Sequence, residues 1–162
     1  MSEHMSESTL RTGDLVPDVT LPTHTGQNIS LRDLKGRKVV LYFYPKDDTP
    51  GCTTEGQDFT RLYPEFQAAD AEVLGISRDP LDSHCKFAEK YGFSFPLLSD
   101  TEEEAVRKFD VLKEKNMYGK MVMGIERSTF VIDRDSRIVH IERKVKVEGH
   151  AERMLDIIRK LP

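Results

Sequence analysis

The 162-residue chain has no tryptophan, only two cysteines and no long apolar run. A membrane-spanning helix needs roughly 18 consecutive apolar residues, and no stretch of this sequence approaches that length. A chain of this size buries a continuous core without disulfides or metals. These absences argue against a membrane enzyme, and they indicate that the two cysteines serve chemistry and not scaffolding.

An excess of positive charge is also missing. The chain has 24 Lys and Arg against 28 Asp and Glu, and its net charge is -4. Nucleic-acid binding depends on clustered cations that displace counterions from phosphates. We therefore expect no nucleic-acid partner and no membrane partner.

Motifs for common cofactors are absent as well. There is no G-x-G-x-x-G fingerprint, and residues 119–124 lack the Lys-Ser/Thr ending of a phosphate loop. The turn at residues 133–136 lacks the glycine and the later glutamate of a calcium loop. The histidines are scattered, and Asp47 and Asp48 are typical of an ordinary turn. We predict neither a cofactor nor a metal.

The first nine residues, Met1 to Thr9, are polar and do not resemble a secretion signal. We expect them to form a disordered tail, followed by a single domain over residues 10–162. Free cysteines fit a reducing compartment, so the expected location is the cytoplasm.

What the sequence does contain is an alternation of strand-like and helix-like segments, which is typical of an α/β fold. The predicted strands are 38–44, 71–77, 128–132 and 138–145, the last two forming a hairpin, and short strands are expected within 15–34. The predicted helices are 53–69, 79–91, 102–109 and 148–161. Pro64 is expected to kink or shorten the first helix, and Gly92 to end the second.

Cys52 follows the first predicted strand directly and precedes a helix. A thiol ordinarily has a pKa of about 8.5, and the unpaired N–H groups at a helix N-terminus favour the reactive thiolate. The position alone leaves an alternative open, in which Cys52 is a small buried apolar residue, Thr49 an ordinary N-cap and Pro50 a first-turn proline.

Pro45, Thr49 and Cys52 match the pattern P-x-x-x-T-x-x-C, which resembles the signature of the peroxiredoxins. Further segments are similar to the bacterioferritin comigratory protein, or peroxiredoxin Q, branch of that family, and the likeness extends from about Gly13 onward. These segments are 42–45, 49–55, 75–79, 95–100, 114–120 and 124–130.

This resemblance implies a thioredoxin-like fold, with a central mixed β-sheet flanked by helices, a C-terminal hairpin and a final helix. It implies a thiol peroxidase acting on hydrogen peroxide and organic hydroperoxides, with Cys52 as nucleophile and Pro45, Thr49 and Arg127 as companions. The implied partner is thioredoxin or a glutaredoxin-like reductant, and relatives are often monomers. Arg127 could instead form an exposed ion pair, and Glu55 could orient Arg127 or be a solvated first-turn carboxylate.

The second cysteine departs from the commonest pattern of the branch, in which the resolving cysteine lies five residues after the first. Gln57 occupies that position here, so Cys85 is the one intramolecular candidate. Some relatives resolve from the same helix, but one turn later, at the position of Ala88. Cys85 could therefore resolve Cys52 after local unwinding, or pack against the sheet while an external thiol resolves Cys52.

A function of another class also stays open at this point. Oxidation of Cys52 could switch partner binding in a non-catalytic redox sensor or holdase. A thioredoxin-like disulfide reductase is excluded, because Cys52 is followed by Thr53, Thr54 and Glu55 and no C-x-x-C pair exists.

Overall fold

The computed structural model of the protein describes residues 10–162, so the tail expected at residues 1–9 lies outside the described part. The strands are β1 Thr20–Pro22, β2 Asn28–Ser30, β3 Lys38–Phe43, β4 Ala71–Ser77, β5 Leu97–Ser99, β6 Leu112–Met117, β7 Lys120–Ile125, β8 Ser128–Ile132 and β9 Ile138–Arg143. The α-helices are α1 Pro50–Ala68, α2 Leu81–Tyr91, α3 Glu104–Lys108 and α4 His150–Lys160, and a 3-10 turn spans Leu31–Leu34.

A five-stranded sheet with the order β5-β4-β3-β8-β9 forms the centre of the fold. β3, β4 and β5 pair in parallel, whereas β8 pairs antiparallel with both β3 and β9. The sheet is therefore mixed, and the C-terminal hairpin and final helix follow as predicted.

β3 is buried along its whole length because both faces of the sheet are covered. Val40 and Tyr42 point into a core shared with α1, α2 and α4, whereas Leu41 and Phe43 point into a second core on the side of α3. The alternation places the end of β3, and the turn that follows it, between two packed layers.

α1 differs from the predicted helix at two points. α1 begins at Pro50, so Cys52 lies inside its first turn. Pro64 neither ends nor shortens this helix: its side chain is exposed, and Tyr63 and Phe66 on either side of it are buried and anchor the helix to the core. Gly92 ends α2 as predicted, in the left-handed conformation with φ 66°.

Asp79 does not cap α2, whose N-cap residue is Pro80. The Asp79 carboxylate instead accepts hydrogen bonds from the Asp47 backbone N–H at 2.8 Å and from the Ser77 hydroxyl at 2.7 Å. Asp79 thus ties the loop after β3 to the end of β4.

The hairpin β6–β7 was not predicted. Its first strand is largely polar, with Lys113, Glu114 and Lys115, and most of its second strand is exposed. Because this pair of strands is separate from the main sheet and little of it is buried, its sequence shows almost no alternation of apolar and polar residues. Within residues 10–162, no helix combines the length and apolar character needed to cross a membrane.

Candidate active site

Cys52 is buried, with 2% of its surface exposed, at the point where the loop from β3 enters α1. The Thr53 N–H donates to the Thr49 carbonyl at 2.8 Å and closes the first turn around it. Arg127, on the short connection between β7 and β8, donates from Nη2 to Cys52 Sγ at 3.3 Å. A helix N-terminus and a guanidinium therefore meet at the same sulfur atom.

Arg127 is held in place by Glu55, one turn after Cys52 on α1. Arg127 Nη1 donates to Glu55 Oε1 at 2.5 Å, and only 16% of the arginine side chain is exposed. Burial opposes the charged guanidinium, but attraction to Glu55 and Cys52 outweighs it and raises the pKa of Arg127. The alternatives of an exposed ion pair for Arg127 and a solvated carboxylate for Glu55 are both wrong.

Glu55 also contacts His150, the first residue of α4. Glu55 Oε2 lies 2.9 Å from His150 Nδ1, although the approach is too oblique to count as a hydrogen bond. On the other side of the ring, His150 Nε2 is 2.9 Å from the hydroxyl of Thr129 on β8. A row of buried polar groups thus runs from Cys52 through Arg127, Glu55 and His150 to Thr129.

Aromatic rings enclose this row on the core side. Tyr42 stacks on Phe59 with ring centroids 4.8 Å apart, and Phe59 meets the His150 ring edge to face at 5.4 Å. Burial, followed by the negative charges of Glu55 and Cys52, raises the pKa of Tyr42 well above its usual value. The phenol therefore stays neutral.

The two other predicted companions, Thr49 and Pro45, lie in the turn between β3 and α1. The Thr49 hydroxyl donates to the Lys46 carbonyl at 2.8 Å, and no hydrogen bond joins it to Cys52 in the described chain. The hydroxyl proton is thereby occupied, which leaves the oxygen as an acceptor. Pro45 is half-buried in the loop that leads from β3 to this turn.

Asp47 and Asp48 belong to the loop and not to a metal site. Asp47 is buried and meets His84 Nδ1 at 2.7 Å, the Tyr44 hydroxyl at 2.6 Å and the Ser83 hydroxyl at 2.7 Å. Asp48 is exposed and binds Lys90 and Tyr91 of α2. In the part of the chain that the structure describes, no three potential ligands come together for a metal ion.

Cys85 lies on the exposed side of α2 and is a free thiol, as is Cys52. Its sulfur faces the His24 carbonyl at 3.5 Å. Its neighbour His84 points the opposite way, into the core, as expected for adjacent helical positions. The alternative in which Cys85 packs against the sheet is wrong, whereas Ala88, one turn later, is buried.

Sequence reasoning did not include Glu55 among the site residues and did not single out His150 at all. Glu55 has a local signal, since it lies one helical turn from Cys52. His150 has none, because its place depends on α4 packing against α1, and only the assembled fold shows that contact.

The chain is similar to known proteins in both sequence and structure. The model of the AhpC/TSA family matches residues 12–141. Peroxiredoxin Bcp of Xanthomonas campestris is 50% identical over 155 residues, covering 96% of this chain and 97% of that protein. Peroxiredoxin Bcp of Bacillus subtilis is 45% identical over 151 residues, covering 93% of this chain and 96% of the relative.

Among solved structures, the bacterioferritin comigratory protein of Xanthomonas campestris, studied for its alkyl peroxide reduction activity, superposes with a TM-score of 0.84. It is 50% identical, and the match covers 90% of this chain and 98% of that one. The thioredoxin-like fold is thereby confirmed. With the family model matching most of its length and relatives at this identity, the chain belongs to the AhpC/TSA family, in the bacterioferritin comigratory protein or peroxiredoxin Q branch of the peroxiredoxins, a family of peroxidases.

Proposed function

We propose that this protein reduces hydrogen peroxide and organic hydroperoxides through a sulfenic acid on Cys52. The observation that carries the proposal is the 3.3 Å contact from Arg127 Nη2 to Cys52 Sγ, made in the first turn of α1. The bacterioferritin comigratory protein of Xanthomonas campestris was studied for alkyl peroxide reduction, which supports the same substrate class for this protein.

In the proposed reaction the Cys52 thiolate attacks the terminal oxygen of the hydroperoxide R–O–O–H. The S–O bond forms as the O–O bond breaks, so Cys52 becomes the sulfenic acid and RO⁻ leaves. The leaving oxygen takes up a proton and departs as alcohol, or as water when R is hydrogen. Sulfur is oxidised by two electrons, and the peroxide is reduced by two.

Three companions assist this displacement. Arg127 stays charged at all working pH values and stabilises both the thiolate and the negative charge that develops on the leaving oxygen. The Thr49 hydroxyl donates its own proton to the Lys46 carbonyl, so its oxygen is free to accept a hydrogen bond from the peroxide O–H. Pro45 shapes the loop and shields the site from water.

Recycling requires a second thiol. In our proposal the Cys85 thiol attacks the Cys52 sulfenic acid, a disulfide forms and water leaves, and thioredoxin or a glutaredoxin-like dithiol then reduces the disulfide. Exposure of Cys85 supports this role. Its sulfur faces His24 while that of Cys52 faces Arg127, so local opening has to precede the bond. We place the reaction in the cytoplasm and expect a monomer.

Steady-state turnover with thioredoxin, thioredoxin reductase and NADPH tests the proposal. The wild type is expected to oxidise NADPH continuously when peroxide is present, and Cys52→Ser to lose this activity altogether. The Cys85→Ser variant is expected to react once and then stall, because the sulfenic acid on Cys52 then has no thiol in the same chain to react with. Sustained turnover of Cys85→Ser would instead show that an external thiol resolves Cys52.

The same assay separates the enzyme from a redox sensor or holdase. A sensor gives a stoichiometric burst and nothing further, even in the wild type. Activity that survives in Cys52→Ser would overturn the assignment of the nucleophile.

A further inference from the structure

His150 is a buried titratable group that the proposed reaction does not use. It is fully buried, as is Thr129, and Glu55 is 1% exposed. Burying charged groups is costly unless other charges and hydrogen bonds compensate them. These three buried side chains are joined to Arg127, the arginine that touches Cys52, through Glu55, so the charge that they carry has to be explained.

The contact between Glu55 and His150 must contain a proton. Glu55 Oε2 and His150 Nδ1 lie 2.9 Å apart, both buried, and neither atom has a hydrogen-bond partner in the described chain. Two lone pairs facing each other at this distance would repel. Since Glu55 already accepts from Arg127, the proton that makes this contact attractive belongs on Nδ1, although the approach is too oblique for a hydrogen bond.

The other ring nitrogen faces a group that adapts to either charge state. The Thr129 hydroxyl, 2.9 Å from Nε2, can donate to a neutral ring or, after rotating, accept from a protonated one. His150 can therefore gain or lose a proton without moving any heavy atom. Few partners other than a hydroxyl would permit this.

Charge balance indicates when the proton is gained. With a Cys52 thiol, the charges of Glu55 and Arg127 cancel. When Cys52 ionises, the buried cluster becomes net negative unless His150 takes up a proton. Glu142 on β9, opposite Thr129, also interacts with the ring, and its carboxylate pairs with Arg153 of α4 and His140 of β9. Lys115 on β6 lies near Arg127 and Cys52.

We propose that His150 is a positioning residue of the peroxidatic site: through Glu55 it holds Arg127 against Cys52, and its imidazolium balances the charge of the thiolate. The proposal rests on the proposed function, because it assigns His150 a part in activating the same Cys52. It also gives α4, at the far end of the chain, a direct role in the reactivity of a residue on α1.

The test is the pH dependence of Cys52 alkylation by iodoacetamide, measured in a Cys85→Ser background. His150→Asn keeps an amide N–H that can reach Glu55 but cannot become charged. We expect the midpoint of its pH profile to rise by about one unit, which corresponds to about tenfold slower alkylation below the midpoint. Peroxide reduction at neutral pH is expected to slow by a similar factor. His150→Phe, which keeps the ring packing on Phe59 but loses both nitrogens, is expected to shift the midpoint at least as far.

The matched control is His140→Asn, at a half-buried histidine on β9 that does not contact the cluster, and its profile should coincide with that of the parent. Thr129→Val, of nearly the same shape, removes the adaptable hydroxyl and is expected to shift the midpoint in the same direction. It provides the test if the His150 variants do not fold, as judged by circular dichroism.

An unchanged midpoint in folded His150→Asn and Thr129→Val would overturn the proposal, as would slower peroxide reduction without any shift, which indicates a purely structural role. Alkylation needs no peroxide, so this outcome is distinct from failure of the proposed function. If the proposed function fails instead, the pH midpoint of Cys52 alkylation still shifts in the variants, but the wild-type protein does not consume peroxide.

Discussion

At the scale of single residues, the site depends on how closely the backbone of the first turn of α1 approaches Arg127. A Cβ atom at Gly51 would lie 3.3 Å from Arg127 Nη2, the atom that donates to Cys52 Sγ. The absence of a side chain at this position is therefore part of the binding geometry of the guanidinium.

Substituting Gly51→Ala tests this contact. The added methyl group is expected to displace Arg127 by a few tenths of an ångström and to reduce the rate of peroxide reduction by about tenfold, below the roughly hundredfold cost of removing such a donor outright. Thermal stability should change little, because alanine is acceptable in a helical turn. Stopped-flow kinetics measure the rate, with Thr54→Ala, an exposed position in the same turn, as the control. A rate equal to that of the wild type would show that Arg127 is not held at the position described here.

The residues of the site were predictable to different degrees. Cys52 was marked by its place between a strand and a helix, but its chemistry came from the resemblance and not from spacing. Arg127 is 75 positions away, and no local pattern joins the two. Thr49 was selected through the same resemblance, and the partner of its hydroxyl depends on where the Lys46 carbonyl points, which only the folded loop determines.

At the scale of secondary-structure elements, α1 packs closely against Phe93, which follows α2, and the close contact lies at Gly56. A Cβ atom there would lie 2.3 Å from Phe93 Cζ, well inside the distance of a normal contact. Phe93 in turn stacks on Phe95 with centroids 5.8 Å apart and meets Phe87 at 4.8 Å. The ring therefore has little room to move away.

Gly56→Ala is expected to destabilise the protein, although alanine is the better helix former by about 1 kcal/mol. Overpacking of this kind costs about 1–3 kcal/mol, so after the gain in helix propensity we expect a net loss in the free energy of unfolding of up to about 2 kcal/mol. Urea unfolding measures it, with Gln57→Ala, the exposed neighbour on α1, as the control. A gain in stability for Gly56→Ala would mean that helix propensity outweighs the contact with Phe93.

The elements themselves were largely predictable where one physical signal dominated. β3 was recognisable because it is apolar on both faces, and α2 because Gly92 supplies a left-handed end. The hairpin β6–β7 was missed because neither strand is buried enough to impose a pattern. Pro64 does not shorten α1, because Tyr63 and Phe66 on either side of it pack into the core.

At the scale of the whole molecule, two helices on one face of the sheet carry the two thiols. The loop before α1 is joined to α2 through the buried contact of Asp47 with His84, whose Nε2 also donates to the Leu98 carbonyl at 2.9 Å. His84 directly precedes Cys85, so the same contact that orders the turn before Cys52 also holds the helix of the second thiol. Formation of the proposed disulfide between Cys52 and Cys85 is therefore expected to disturb this buried contact, and the oxidised protein is expected to be more open than the reduced one.

The central claim is that peroxide oxidises the sulfur of Cys52 first, and mass spectrometry of the Cys85→Ser variant tests it most directly. The protein is treated with one equivalent of hydrogen peroxide in the presence of dimedone, which traps sulfenic acids, and then digested and mapped. We predict one dimedone adduct, on the peptide that contains Cys52, and wild-type protein treated alike without the trap should lose two hydrogens. Unmodified Cys52 after the peroxide has been consumed would contradict the account.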